Sequence, residues 1–338
     1  VPGPGHQLVG HARSVTGMKI NWFSPLPPAK TEIALHTQRL LPALAERMQV
    51  TLWTDQKKWD ERVQRYAAVR CYGPSKIPWR EVHQADATFY NMGNNAEFHV
   101  GIWQASQVHP GVVILHDPCL HQFFAYCYRW LWGDKQGYLS VMERYYAAPG
   151  RRDAEDFWEH RLTVEYMMDR YPLTPLALEG ALAAVVHIAT AYDQLIREQW
   201  CPAAWAPLPY PARSWDSEDP GWAGKRGVPQ PYRLIMFGYI NFNRRLEAIL
   251  QALASLPEKD QFHLDIYGQL WNLGPIQSLI DSLGLKQHVT IHGFVPEPEL
   301  DAALENADLA FNLRYPSVGE ASAIRSIKRL YGAGECNL

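Results

Sequence analysis

The sequence has few cysteines, no long apolar run and no excess of one charge, and each lack removes a class of function. Its five cysteines (Cys71, Cys119, Cys127, Cys201, Cys336) are odd in number and widely scattered, with no C-x-x-C pair and no metal-ligand spacing. No metal is therefore expected, and a reduced, cytoplasmic setting is. A net charge of -3 over 338 residues leaves no broad basic surface, so nucleic acid is not an expected partner. The most apolar segment, Leu176 to Tyr192, carries Glu179, Gly180 and His187 and is too short and too polar to span a bilayer. The start, VPGPGHQLVGHARSVTG, lacks the basic-then-apolar order of a signal peptide. The glycines form neither G-x-G-x-x-G nor G-x-x-x-x-G-K-[ST], so dinucleotide and P-loop chemistry lack their fingerprints.

What is present is a soluble globular composition, 47% hydrophobic and 20% charged, at a length that suits two domains. MKINWF reads as a natural beginning, so residues 1–17 are expected to be a leader or disordered arm. From residue 18 strand and helix patterns alternate: MKINWF, a helix from Ile33 to Arg47, then QVTLWT, ATFY, GVVILH and AAVVHI. Continuous apolar runs of this kind fit parallel strands covered on both faces. Residues of about 120–175 turn aromatic, charged and helical, an expected insertion within a first domain of 18–210. Its stretch FFAYCYRWLW fits subdomain core, and a peripheral contact with a membrane surface is the other reading. Residues 211–230, within a stretch dense in Pro, Gly and charge, read as a linker. A second alternation over 231–338 (RLIMFG, Arg244–Leu256, HLDIYG, Pro275–Leu283, HVTIHGFV, Pro298–Asn306, LAFNLR) makes a second α/β domain. The expected binding site is a cleft between the two sets of strand ends.

The candidate site residues lie at these strand ends. In SPLPPAKTEIA a proline-rich turn feeds a helix whose first amides, near Thr31 and Glu32, would favour a phosphate; the alternative is a plain cap by Thr31 with Glu32 complementing the helix dipole. Asn94 and Asn95, after Gly93, could bind hydroxyls or simply form a turn. His116 and Asp117 close an apolar strand, and the imidazole could exchange a hydrogen bond with a substrate hydroxyl or be structural. Gly238 ends another strand, with Arg244 six residues on at an expected first helical turn, where a guanidinium could grip a diphosphate. Arg314 precedes the proline-containing turn in LRYPSVGEAS, after which Gly319 and Glu320 open an expected helix.

These segments, SPLPPAKTEIALHTQRLLPAL, YNMGNNAEFH with HPGVVILHD, FGYINFNRRLEAIL, VTIHGFV and LRYPSVGEAS, occur in an order and spacing that resembles family 4 glycosyltransferases of the GT-B fold, over roughly residues 18–332. The resemblance implies an α/β chain of two Rossmann-like, doubly wound domains facing across a cleft. It implies retaining, metal-independent transfer of a sugar from a UDP- or GDP-linked donor to a glycan, lipid-linked or small-molecule acceptor, as in polysaccharide biosynthesis. The nucleotide sugar is then a substrate and no cofactor is expected. By position, Glu320 would bind the donor sugar, and the backbone from Gly319 through Ala321 to Ser322 would face the diphosphate. Arg244 would take the place of the family's usual lysine, Phe294 and Val295 would flank the base, and His116 would lie beside the transferred sugar. The sequence departs from the pattern at Glu32, where the family has glycine, and at Lys328, where its second, ribose-holding glutamate would fall. It also ends at Leu338, before the last elements such a domain would have. These departures support the other reading, a degenerate sugar-nucleotide binding protein without catalysis. The oligomeric state is left open.

Overall fold

Strand β1 (Lys19–Phe23) shows why the first sheet is covered on both faces. Ile20 and Trp22 pack into one apolar cluster with Leu52 and Ile114, whereas Phe23 packs into another with Trp53, Tyr90 and Leu115. Successive strand side chains point to opposite faces, so Ile20 and Trp22 on one face and Phe23 on the other need separate cores. In this computed structural model, residues 17–73, 76–209, 231–315 and 334–336 are described, and they divide into two compact units on either side of residues 210–230.

The first unit continues with α1 (Glu32–Ala45), β2 (Gln49–Thr54), β3 (Ala68–Cys71), α2 (Trp79–Val82), β4 (Ala87–Met92), α3 (Ala96–Val108) and β5 (Val112–Leu115). Helix α1 buries Ile33, Ala34, Thr37 and Leu41, a helical spacing on one face, and Thr31 caps it by accepting a hydrogen bond from the Ile33 amide. A helical excursion follows: α4 (His121–Tyr126), a π-helical turn over Cys127–Leu131, α5 (Lys135–Trp158, broken at Ala147 two residues before Pro149), α6 (Val164–Arg170) and α7 (Thr174–Ala177). Its core is aromatic. His121 ties it together, with Nδ1–H donating to the Tyr171 carbonyl, so that Nε2 accepts from the Tyr138 hydroxyl at 2.7 Å. Phe123, Phe124 and Cys127 of FFAYCYRWLW are buried and Tyr126, Trp130 and Leu131 are exposed. Then come β6 (Ala183–Val186), α8 (Ala189–Glu198) and β7 (Ala203–Trp205). No helix among the described residues is long and apolar enough to cross a membrane.

The second unit holds β8 (Tyr232–Phe237), α9 (Leu246–Ser255), β9 (Phe262–Tyr267), α10 (Leu273–Ser282), β10 (Val289–Gly293), α11 (Glu297–Glu305), β11 (Leu309–Phe311) and β12 (Gly334–Cys336). Leu234 and Met236 of β8 enter one cluster, Ile235 and Phe237 another, so this sheet too is covered on both faces. Both sheets are parallel, with orders β3-β2-β1-β4-β5-β6-β7 and β10-β9-β8-β11-β12. Each order reverses beside its first strand, between β1 and β4 and between β8 and β11. Such a reversal splays the loops at the carboxyl edge apart and leaves a crevice where open α/β sheets take ligands.

Candidate functional site

The carboxyl edge of the second sheet is built from glycines and one buried cation. Gly238, Gly268 and Gly293 end β8, β9 and β10 with φ of 101°, 108° and 72°, a region that side chains disfavour. The strand ends crowd here: a Cβ on Gly268 would lie 2.0 Å from the Gly238 carbonyl oxygen. After β8 the chain makes a 3-10 turn over Phe242–Arg244, and Arg245 then takes a left-handed conformation (φ 56°) that starts α9 at Leu246. Arg244 therefore sits on the turn and not in the first turn of a helix, which corrects the sequence reading. The left-handed Arg245 halts the helical path before it. At 2% exposure, Arg244 folds back over β8 and Nη2–H donates to the Phe237 carbonyl at 3.3 Å, with Nη1 near Gly238.

Across the order reversal, Tyr315 N–H donates to the Asn243 carbonyl at 2.8 Å, which docks the segment carrying half-buried Arg314 onto the arginine turn. After β10, Phe294 is 58% exposed while Val295 packs against the cluster of Phe237 and Tyr267. His292 stacks on Tyr267 (centroids 4.2 Å apart, planes 2° apart) and its Nε2 lies 2.7 Å from Asp265 Oδ1. A fixed cation over bare strand-end backbone suits a diphosphate, and an exposed ring suits a base. Gly319, Glu320, Ala321, Ser322 and Lys328 lie outside the described residues.

The carboxyl edge of the first sheet is different: it gathers imidazoles. His116 follows β5, His187 follows β6, and His36 comes from α1, with ring centroids 4.7 Å (His36 to His116), 4.7 Å (His116 to His187) and 5.1 Å (His36 to His187) apart. Burial is the main cause that holds all three neutral. It brings His36 down to about 3, with His187 and Arg39 adding to the effect. It takes His116 well below the usual histidine range, aided by His36, His187 and His99, and it lowers His187. His99 of α3 is held down to about 4 by the same burial, and its Nδ1–H donates to the Asn91 carbonyl at 3.0 Å.

The neighbouring polar residues are engaged as local supports. Asn95 caps α3 by accepting from the Glu97 amide at 2.9 Å, and Asn94 Oδ1 accepts from the Phe123 amide at 2.9 Å. Asp117 Oδ2 accepts from the Asn94 amide at 2.8 Å. Gly93 is packed so closely that an added Cβ would lie 2.5 Å from Ile33 Cδ1. Thr31 is likewise a cap, and Glu32 is exposed. The structure thus brings Gly93, Asn94, Asp117 and His116 to one place, and engages both asparagine side-chain carbonyls with backbone amides, Asn95 as the cap of α3 and Asn94 as a tie to the start of α4. Sequence reasoning singled out neither His36 nor His187 for the site. The signal for His187 was present, since AAVVH ends an apolar strand on histidine as VVILH does. His36 carried none, because nothing local distinguishes a helical histidine that faces the sheet edge from any other.

Residues 223–323 match the protein-family model for Glycosyl transferases group 1. Among solved structures the chain is similar to HepE from Anabaena in complex with UDP and glucose (TM-score 0.55, 15% identity, 94% of this chain and 80% of that one). It is similar to sucrose-phosphate synthase from Thermosynechococcus elongatus (TM-score 0.56, 15% identity, 95% and 81%). It is also similar to WaaG, a glycosyltransferase involved in lipopolysaccharide biosynthesis (TM-score 0.55, 14% identity, 96% and 80%). No curated protein sequence matches significantly. The resemblance read from the sequence is borne out in the fold, which is that of GT-B glycosyltransferases.

Proposed function

We propose that this chain is a retaining glycosyltransferase that moves a sugar from a UDP- or GDP-linked donor to a glycan, lipid-linked or small-molecule acceptor in the cytoplasm. The observation that carries the reading is Arg244 folded over the end of β8 beside Gly238, inside the segment that matches the glycosyltransferase family. Breaking the bond from sugar to diphosphate leaves charge on the departing oxygen, and a preorganised guanidinium beside bare backbone stabilises that charge without reorganising. Arg244 would do the work a metal does elsewhere, so transfer is proposed to need no metal. In this reading the second unit binds the nucleotide, Arg314 lies at its phosphate side and Phe294 and Val295 flank the base. His116 of the first unit faces the sugar, and Glu320 holds the sugar hydroxyls.

A thermal-shift panel of nucleoside diphosphates, followed by NMR of the released or transferred sugar, tests the reading. A nucleotide at a hundred times its dissociation constant adds about 2.7 kcal/mol to stability. Stabilisation by UDP or GDP, with product of unchanged anomeric configuration in the presence of EDTA, is expected. No stabilisation by any nucleoside diphosphate overturns the reading, and binding without turnover leaves a non-catalytic sugar-nucleotide protein.

A further inference from the structure

The second unit holds a strained residue where glycine would serve at less cost. Arg245 takes φ 56° and ψ 33°, a left-handed conformation that favours glycine, yet it carries a long, exposed side chain. Such an outlier at a ligand edge points to a task for the residue. The guanidinium carbon of Arg245 lies 5.6 Å from the centre of the Tyr315 ring, within cation–π range, and Tyr315 arrives from the other side of the strand-order reversal. At 68% exposure that ring fills no core, so packing does not account for it. The backbone closes a second contact, since Tyr315 N–H donates to the Asn243 carbonyl at 2.8 Å. Asn243 and Arg245 flank Arg244, so Tyr315 grips the turn on both sides of the buried guanidinium. No side-chain cap holds the 3-10 turn over Phe242–Arg244 or the start of α9. With Arg245 right-handed, the turn would run on into α9, and Arg244 would project from a helix instead of folding back to the Phe237 carbonyl.

We propose that Tyr315 and Arg245 form a latch that positions Arg244 for the diphosphate. The role of Arg244 itself rests on the glycosyltransferase reading. The ring supplies an attraction that offsets the strain at Arg245, and the left-handed Arg245 keeps Arg244 over the end of β8. Phenylalanine can replace the tyrosine, because the attraction comes from the face of the ring, and leucine cannot.

The test is calorimetry of UDP and GDP on the full chain, with side-chain NMR of nitrogen-labelled arginine in the same samples. Tyr315→Leu should weaken the nucleotide by about two- to fivefold, as loss of one exposed cation–π contact does, and should shift the Arg244 Nε–H resonance before nucleotide is added. Tyr315→Phe should return both to the parent values. Arg245→Gln should match Tyr315→Leu, and the double variant should lose no more than either, because each breaks the same contact. If Tyr315→Leu fails to fold, Arg245→Gln set against Arg245→Lys, which keeps the charge, carries the comparison. Losses that add mean that Arg245 touches the phosphates directly, and they overturn the latch. So does an Arg244 resonance that ignores Tyr315→Leu. Arg244→Ala separates this inference from the reading beneath it. Nucleotide affinity indifferent to Arg244→Ala, or absent from the parent, counts against the proposed function, whereas affinity that falls with Arg244→Ala and ignores Tyr315→Leu counts against the latch alone.

Discussion

The two units share one architecture and carry opposite chemistry at the same place. Both are parallel sheets whose strand order reverses beside the first strand. The first lines its carboxyl edge with neutral, buried imidazoles, whereas the second lines it with glycines and a buried guanidinium. The fold supplies the crevice, and strand-end residues set its chemistry: ring lone pairs at one edge, bare backbone and a fixed positive charge at the other.

Acid should separate the units most strongly. Histidine in an unfolded chain takes up a proton below its ordinary value of 6.5, while the folded first unit holds His99 and His121 to about 4 and His36 to about 3. The unfolded state therefore binds more protons as pH falls below 6.5, and the stability these groups contribute is complete above that value and withdrawn between it and their folded values. By about pH 5 each of the three has lost about 2 kcal/mol, roughly 6 kcal/mol together, with His116 and His187 adding in the same direction. Hydrogen exchange followed down the pH scale should show the first unit's sheet opening before the second's. Earlier opening of β8 and β9 would break the comparison.

The next effect belongs to the second unit. Gly268→Ala places a methyl group on the Gly238 backbone in a conformation that side chains disfavour, and should cost about 3 kcal/mol in urea unfolding. Gly180→Ala in the first unit meets a positive φ but open space, and should cost about 1 kcal/mol. Equal costs would mean that the crowding at the second edge relaxes freely.

The smallest effect sharpens the functional side. Arg244→Ala should weaken UDP or GDP by tenfold or more, since a charge-assisted contact is worth about 1.5–3 kcal/mol, and the ring-nitrogen NMR signals of His36 and His187 should stay in place. Calorimetry with unchanged nucleotide affinity would remove Arg244 from the phosphate site.

Much of the fold was legible because its signals are local. QVTLWT is β2 as read, and the helical excursion shows as a loss of strand pattern after Leu120. The helix α3 and the short strands β3 and β7 were not singled out. The runs AVRC and AAW are brief and mostly exposed, and only pairing with β2 and β6 makes them strands. Of the site, Gly238, Arg244 and His116 stood out as polar or special residues at the ends of apolar runs. The placement of Arg244 on a 3-10 turn did not, because it depends on a left-handed Arg245 that no propensity favours.

By itself, then, the sequence determined the alternation of strands and helices, the division into two α/β units and which strand ends carry polar groups, since hydrophobic periodicity and turn residues act over a few neighbours. Tertiary structure alone decided that His36, from a helix, meets His116 and His187, from two strand ends far along the chain, and that Asn91 and Ala206 fix which nitrogens of His116 and His187 stay free. A ring's tautomer and its accessible lone pair depend on partners brought close by packing, and packing partners distant in sequence leave no local trace.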